Sequence, residues 1–177
     1  FQRWIAERFP TGCQIVDRTM DTALIAVQGP RAAGLLDACY LLDSGAPLSS
    51  LRMFSWGEGI FAGEGVIDRN LRFFAGRTGY TGEDGFELIV PGDRAVELWT
   101  LLGEAGATPC GLGARDVLRL EAGMLLHGND MDVTVNPYEA GLEKFVSPDR
   151  DGYAAGESLR QIRDHGVGRK LVGFVLH

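Results

Sequence analysis

The chain has 177 residues, of which 45% are hydrophobic and 23% charged, as in an ordinary folded domain. This length suits one domain with a sizeable core and leaves no room for a second complete one. The formal net charge of −7 argues against nucleic acid as a partner, because phosphate binding relies on a basic surface, and the apolar runs are far shorter than the roughly 20 residues of a membrane span.

The N-terminal part of the sequence predicts a helix end, a strand pair and a second helix. Residues 1–8 carry apolar side chains at helical spacing, which is typical of the tail of an amphipathic helix. Two β-rich segments, 14–19 and 22–27, predict a hairpin or a bent strand pair. Pro30 then fits the first turn of the next helix, so a β-to-α transition is expected here.

The middle of the chain predicts an antiparallel meander. Glycines that mark turns or bulges separate the strand candidates, which are residues 51–56, 60–67, 71–75 and 86–90. Asp93 is expected to cap the helix that follows. The predicted fold class is therefore α+β, an antiparallel sheet with helices.

The C-terminal part predicts two helices with an irregular crossing between them. The first runs from about Leu112 to Glu121 and has an apolar face. Residues after Gly128 are rich in turn formers and predict an irregular surface segment. The last helix spans about 156–165 and precedes a β-like run over 170–176.

The segment 76–88 is unusually rich in special residues. It holds four glycines, four charged side chains and two aromatic ones between two apolar runs, which is more than a connecting hairpin needs. Glu87 alternates with apolar neighbours, so it is either a solvent-facing carboxylate or one that faces a pocket. A pocket carboxylate can accept two parallel N–H bonds from an amidine-like edge, and Tyr80 could add an aromatic wall or belong to the core.

Two arginines downstream share one face of the predicted helix. Arg115 and Arg119 are four residues apart, and two like charges at that spacing cost a few tenths of a kcal/mol. Their acceptors are either ligand groups or carboxylates of a structural ion-pair network. The carboxylates considered for that network are Asp84, Asp116 and Glu121.

Signatures of other chemistries are missing from the sequence. The three cysteines (Cys13, Cys39 and Cys110) form no CxxC pair, and no two histidines have metal-ligand spacing, so no metal site is expected. There is no nucleophile elbow, P-loop or HExxH motif. His127 is interpreted as a packing or capping residue, and the residues alone predict a site built from a carboxylate and arginine.

Four blocks of the sequence resemble the aminomethyltransferase family, which includes the T-protein of the glycine cleavage system. The two long blocks are 77–87 (RTGYTGEDGFE) and 111–123 (GLGARDVLRLEAG), and the short ones are 27–30 (VQGP) and 136–142 (NPYEAGL). They occur in the family's order, and the resemblance covers nearly the whole chain.

The resemblance implies a tetrahydrofolate-binding α+β fold with ferredoxin-like elements, followed in full-length members by a C-terminal β-barrel. Residues 1–168 would be the folate-binding domain without its N-terminal part, and 169–177 the truncated start of the barrel. By the same resemblance, Glu87 and Arg115 hold the folate, Glu87 reads the amidine-like edge of the pteridine, and Tyr80 lines the pocket.

The family reaction moves an aminomethyl group from the lipoyl arm of a carrier, the H-protein, to tetrahydrofolate, giving 5,10-methylenetetrahydrofolate and ammonia. A cytoplasmic location is implied, or the mitochondrial matrix in a eukaryote. The aspartate that assists the step belongs to an N-terminal segment outside this sequence. No catalytic residue is therefore assigned, and the isolated chain is expected to be inactive.

Two alternatives stay open on sequence alone. One is the folate domain of a dimethylglycine or sarcosine dehydrogenase or of a demethylase relative, and the other is a noncatalytic folate-binding module. His127 stands where many family members have tyrosine, and Lys144 replaces a commoner residue. These two differences concern the identity of the one-carbon donor more than the binding of folate.

Overall fold

The computed structural model describes residue 7 and residues 14–61 and 68–174. The chain divides into two compact units, Phe1–Arg115 and Asp116–His177. The first unit contains a five-stranded sheet, whose strands are β1 (Thr22–Gln28), β2 (Tyr40–Leu42), β3 (Trp56–Phe61), β4 (Asp68–Gly76) and β5 (Gly85–Pro91). The α-helices within residues 14–61 and 68–174 are α1 (Ala32–Cys39), α2 (Ala95–Glu104), α3 (Leu112–Glu121) and α4 (Gly156–His165), and the boundary between the units falls within α3.

All neighbouring strands of the sheet are antiparallel, in the order β1-β5-β4-β3-β2. Strands β2 to β5 follow one another across the sheet, and β1 lies at the far edge beside β5. This arrangement confirms the predicted antiparallel meander and the α+β fold class. It also sets the two ends of the glycine-rich segment on adjacent strands, since that segment joins β4 to β5.

The sheet has one buried face and one open face. In β5, Phe86, Leu88 and Val90 are fully buried, while Glu87 and Ile89 between them are not, which is the alternation expected of a strand covered on one side. Helices α1 and α2 pack on the buried face and complete the hydrophobic core. The opposite face leaves large apolar side chains exposed, namely Leu24, Trp56, Phe74 and Ile89.

The second unit is mostly irregular and is held by side-chain bonds to the backbone. The Asn136 side chain accepts hydrogen bonds from the backbone N–H groups of Tyr138 and Glu139 at 3.0 Å each. Arg160 of α4 donates a 2.5 Å bond to the carbonyl of Pro148. These bonds replace the regular ladders that a segment rich in turn formers cannot make.

The predicted hairpin of 14–19 with 22–27 is wrong. Strand β1 forms where expected, but its partner is β5, and 14–19 is irregular. The Asp17 carboxylate accepts bonds from both the backbone N–H and the hydroxyl of Thr19, at 2.9 and 2.6 Å. This local turn competes with strand pairing, which explains why the β propensity of 14–19 led to a wrong prediction.

Three other local predictions also differ from the structure. Residues 51–55 form bends rather than a strand, with Phe54 in the left-handed region at φ 61°. Asp93 does not cap α2, because Gly92–Arg94 forms a 3-10 turn before it. The short strand β2 was not anticipated, and residues 170–174 form no strand.

The bounds of the two C-terminal helices agree with the prediction. Helix α3 spans Leu112–Glu121 and α4 spans Gly156–His165, as their apolar spacing indicated. The helix tail expected over 1–8 lies outside the described residues apart from Glu7, which is helical. Within the part of the chain that the structure describes, no helix is long and apolar enough to cross a membrane.

Candidate functional site

The glycine-rich segment is folded around the side chain of Gln28, the last residue of β1. The Gln28 amide nitrogen donates to the carbonyls of Thr78 and Phe86 at 3.2 Å each, and its oxygen accepts from the Thr81 hydroxyl at 3.3 Å. A Cβ on Gly85 would lie 2.6 Å from this amide, so a larger residue cannot enter without moving it. A partly buried amide thus holds both ends of the turn.

An ion pair between Arg77 and Asp84 also stabilises this turn. Arg77 donates to both carboxylate oxygens of Asp84, and its Nη1 also donates to the carbonyls of Ser49 and Leu51 at 2.7 and 2.9 Å. The Arg77 guanidinium holds the pKa of Asp84 below its ordinary value. Arg77 and Asp84 are therefore structural supports of the turn.

Tyr80, at the centre of the turn, contacts Arg115 of α3. The Cζ atom of Arg115 lies 4.6 Å from the centroid of the Tyr80 ring, within the range of a cation–π interaction. Both residues belong to the first unit. The structure thus brings together two of the three residues predicted to bind the ligand.

Arg119 has a different set of partners, although it shares the helix with Arg115. It is 4% exposed and donates to Asp116 at 2.8 Å, to Asp130 and to the carbonyl of Met124 at 3.2 Å. The backbone N–H of Leu126 and the Arg119 guanidinium both lower the pKa of Asp130. The predicted ion-pair network thus exists for Arg119, with Asp116 as one predicted partner and Asp130 as one that the sequence analysis missed.

Glu87 lies on the open face of the sheet. In register it is opposite Gly76 of β4 on one side and Ala26 of β1 on the other. Glu87 lines a largely apolar groove of about 350 Å³ together with Trp56, Phe74, Gly76 and Ile89. Among the residues that the structure describes, no hydrogen bond or ion pair engages this carboxylate, so its oxygens are available as acceptors.

The groove brings Glu87 next to aromatic side chains that the sequence analysis did not select. Trp56 and Phe74 contact each other with ring centroids 5.7 Å apart. The alternation of side chains along β3 and β4 could have identified these two residues. The predicted strand that contains Trp56 spans 51–56, however, whereas β3 spans Trp56–Phe61. The contact of Arg115 with Tyr80 does not include Glu87, which lies at the groove.

The site offers carboxylate oxygens and aromatic surface. The described residues contain no group of three His, Cys, Asp or Glu side chains placed to hold a metal ion. A free carboxylate beside an aromatic wall suits a flat ligand that donates N–H bonds from one edge. Pteridines and purines both present such an edge.

Comparison with protein families finds one model that matches most of the chain. The GCVT N-terminal domain model matches residues 1–150. This range includes the glycine-rich segment, the groove and helix α3.

Curated proteins and a solved structure give the same result. An aminomethyltransferase from Synechococcus elongatus is 41% identical over 174 residues, and one from Halothermothrix orenii is 38% identical over 177. Each match covers 98% of this chain but only 44% and 46% of the relative, so the chain spans less than half of their length. The crystal structure of glycine cleavage system aminomethyltransferase T from Bartonella henselae matches with a TM-score of 0.67 and 34% identity, over 82% of this chain and 37% of that one.

Proposed function

Because the chain belongs to the aminomethyltransferase family, we propose that its full-length protein transfers an aminomethyl group to tetrahydrofolate and that this chain supplies part of the folate site. The donor is the lipoyl arm of a carrier of the H-protein type, and the products are 5,10-methylenetetrahydrofolate and ammonia. Such a protein works in the cytoplasm, or in the mitochondrial matrix of a eukaryote.

The observation that carries the proposal is the free carboxylate of Glu87 on an open, aromatic-lined groove. On this open face water can hydrate the carboxylate, and a ligand that covers it must replace that water with N–H donors. The amidine-like edge of a pteridine supplies two parallel N–H groups, which match the two oxygens of Glu87. This complementarity supports a folate better than a phosphate or an acidic substrate, which a carboxylate repels.

The Arg115 and Tyr80 pair contributes to the same function in a different way. A guanidinium held against a tyrosine ring keeps its outer N–H groups in a fixed plane, where they can bind a carboxylate or carbonyl of the ligand. We assign binding and orientation to Glu87, Arg115 and Tyr80, and we assign proton transfer to none of them. The domain limits of 1–168 and 169–177 and the inactivity of the isolated chain are part of this proposal.

Titration of tetrahydrofolate into the full-length natural protein tests the proposal. Replacing a charge-assisted acceptor costs about 1.5–3 kcal/mol, so Glu87→Gln should weaken binding about 10- to 150-fold. Arg115→Ala should weaken it at least about 10-fold. Glu83→Gln is the matched control, because Glu83 is an exposed acid of the same turn, and it should bind like wild type. Unchanged binding by both Glu87→Gln and Arg115→Ala would refute the site.

A further inference from the structure

The side chain of Gln28 contacts the glycine-rich turn on both sides of Tyr80. Its amide nitrogen donates to the carbonyl of Thr78 at 3.2 Å, and its amide oxygen accepts from the Thr81 hydroxyl at 3.3 Å. Gly79 lies so close that a Cβ on it would collide with the amide oxygen. The residues immediately before and after Tyr80 therefore both contact one amide.

Two glycines of the turn are explained by this amide rather than by the backbone. Gly79 and Gly85 both lie outside the left-handed region, so their backbone conformations are open to other residues. A Cβ at either position would nevertheless be too close to the Gln28 side chain. The turn is thus packed directly against the amide at two points.

The sheet fixes the place of the amide and connects it to β5. Gln28 is the last residue of β1 and is opposite Gly85 of β5 in register. The amide nitrogen also donates to the carbonyl of Phe86 at 3.2 Å, and Phe86 directly precedes Glu87. One side chain therefore bonds to the backbone beside Tyr80 and beside Glu87.

The amide acts on a different part of the turn from the ion pair of Arg77 with Asp84. The ion pair joins the two ends of the turn, whereas Gln28 contacts its centre. That centre presents the Tyr80 ring, whose centroid is 4.6 Å from the Cζ atom of Arg115. A cation–π contact requires the cation to lie over the ring face within about 6 Å, so displacement of the turn centre removes it.

We propose that Gln28 is a positioning residue of the folate site. It acts through other residues, since its amide holds Tyr80 against Arg115 and holds the start of the strand from which Glu87 projects. Its donors and its acceptor are used within the protein, and the ligand is bound by the residues that it places. This inference rests on the proposed function, because the quantity that Gln28 sets is the affinity for folate.

Nuclear magnetic resonance of the ligand-free, full-length protein tests the link from Gln28 to Tyr80. The ring current of Tyr80 shifts the resonances of the Arg115 side chain, and comparison with Tyr80→Leu identifies this shift. Gln28→Met has a similar length without the amide, so it should lose most of the shift while thermal unfolding stays cooperative. A retained shift in Gln28→Met would refute the inference.

A milder pair of variants gives the same test if Gln28→Met does not fold. Thr81→Val removes the hydroxyl that the amide oxygen accepts from, and Thr81→Ser keeps it. The Arg115 shift should decrease in Thr81→Val and should be restored in Thr81→Ser. Equal shifts in these two variants would contradict the role of the amide.

Tetrahydrofolate titrations of the same proteins test the effect on binding. Gln28→Met should weaken binding about 5-fold or more. Because Gln28 acts through Tyr80, the double variant with Tyr80→Leu should lose less affinity than the product of the two single losses. Leu102→Ala is the control for stability, since it removes a buried core side chain of α2, and it should lower the thermal midpoint but bind like wild type.

The outcomes separate this inference from the proposed function. If Glu87→Gln and Arg115→Ala weaken binding but Gln28→Met binds like wild type, the proposed function stands and the inference is wrong. Independent losses in the double variant would also overturn it. If wild type itself does not bind tetrahydrofolate, the proposed function fails and the inference with it. Loss of both the Arg115 shift and the affinity in folded Gln28→Met is the supporting result.

Discussion

Arg77 and Asp84 form a two-point ion pair across the glycine-rich turn, with Nε 3.0 Å from Oδ1 and Nη2 2.7 Å from Oδ2. The same guanidinium donates to the carbonyls of Ser49 and Leu51, so one side chain joins the turn to a second loop. The turn carries Tyr80, which in turn contacts Arg115. The pair therefore holds the loop from which a proposed ligand contact projects.

Arg77→Lys should destabilise the protein, because an ammonium cannot reproduce the planar fork that engages both oxygens and two carbonyls. We expect a loss of about 1–3 kcal/mol in the free energy of unfolding, measured by urea denaturation. Arg72→Lys is the matched control, since Arg72 pairs with Asp43 and Glu58 at the surface, where about half of each side chain is exposed. Its cost should stay below about 1 kcal/mol, and equal losses in the two variants would contradict the account.

The contribution of Asp84 should depend on pH. Hydrogen bonding to Arg77 lowers the folded-state pKa of Asp84 below its ordinary value of 3.8. A depressed pKa stabilises the folded state fully above the unfolded pKa, and this stabilisation is lost as pH falls through the folded pKa. The difference in unfolding free energy between wild type and Asp84→Asn should be constant above about pH 5 and shrink below about pH 4. A difference that persists unchanged to about pH 2.5 would show that the ion pair is not its source.

Gln28 and Gly79 should behave as a coupled pair. A side chain on Gly79 would collide with the amide of Gln28 and displace it from Thr78 and Phe86. Gly79→Ala should therefore destabilise wild type but cost much less in a Gln28→Ala background, where the space is empty. A double-mutant cycle should give a coupling of about 0.5–3 kcal/mol, and additive effects would mean that the amide does not hold the turn.

Tyr40→Phe should be neutral or stabilising. The Tyr40 ring is fully buried and packs edge-on against Phe61 and Phe73, but its hydroxyl has no partner among the described residues. Burial raises the pKa of this hydroxyl. An unsatisfied buried hydroxyl costs about 1–3 kcal/mol, so removing it should leave the thermal midpoint equal or higher. A clear drop in the midpoint would indicate a partner for the hydroxyl.

Apolar spacing predicted the bounds of helix α3, and the predicted bounds of α4 also agree with the structure. The strand predicted over 14–19 is wrong, because the Asp17 carboxylate accepts a hydrogen bond from the backbone N–H of Thr19 and stabilises a local turn. Strand pairing of β1 with β5 joins residues 57 to 69 positions apart, and no local pattern encodes such a partner.

The candidate site was predictable in part. The residue types and the family resemblance select Glu87, Arg115 and Tyr80, whose ligand binding stays a prediction, and the structure shows that Arg115 contacts Tyr80. The position of Trp56 beside Glu87 at the groove was missed, since it depends on the register across three strands. Arg115 and Arg119 were considered together as ligand-binding candidates. Helical spacing alone cannot show that Arg119 is buried and bonded to carboxylates of the protein.

The central claim is that Glu87 reads the amidine-like edge of a folate, and paired ligands test it most directly. Tetrahydrofolate and its analogue without the 2-amino group would be titrated into the full-length wild-type protein and into Glu87→Gln. Wild type should prefer tetrahydrofolate about 10-fold or more, and Glu87→Gln should bind the two ligands almost equally. The same preference in both proteins would contradict the account, because the discrimination would then come from a group other than Glu87.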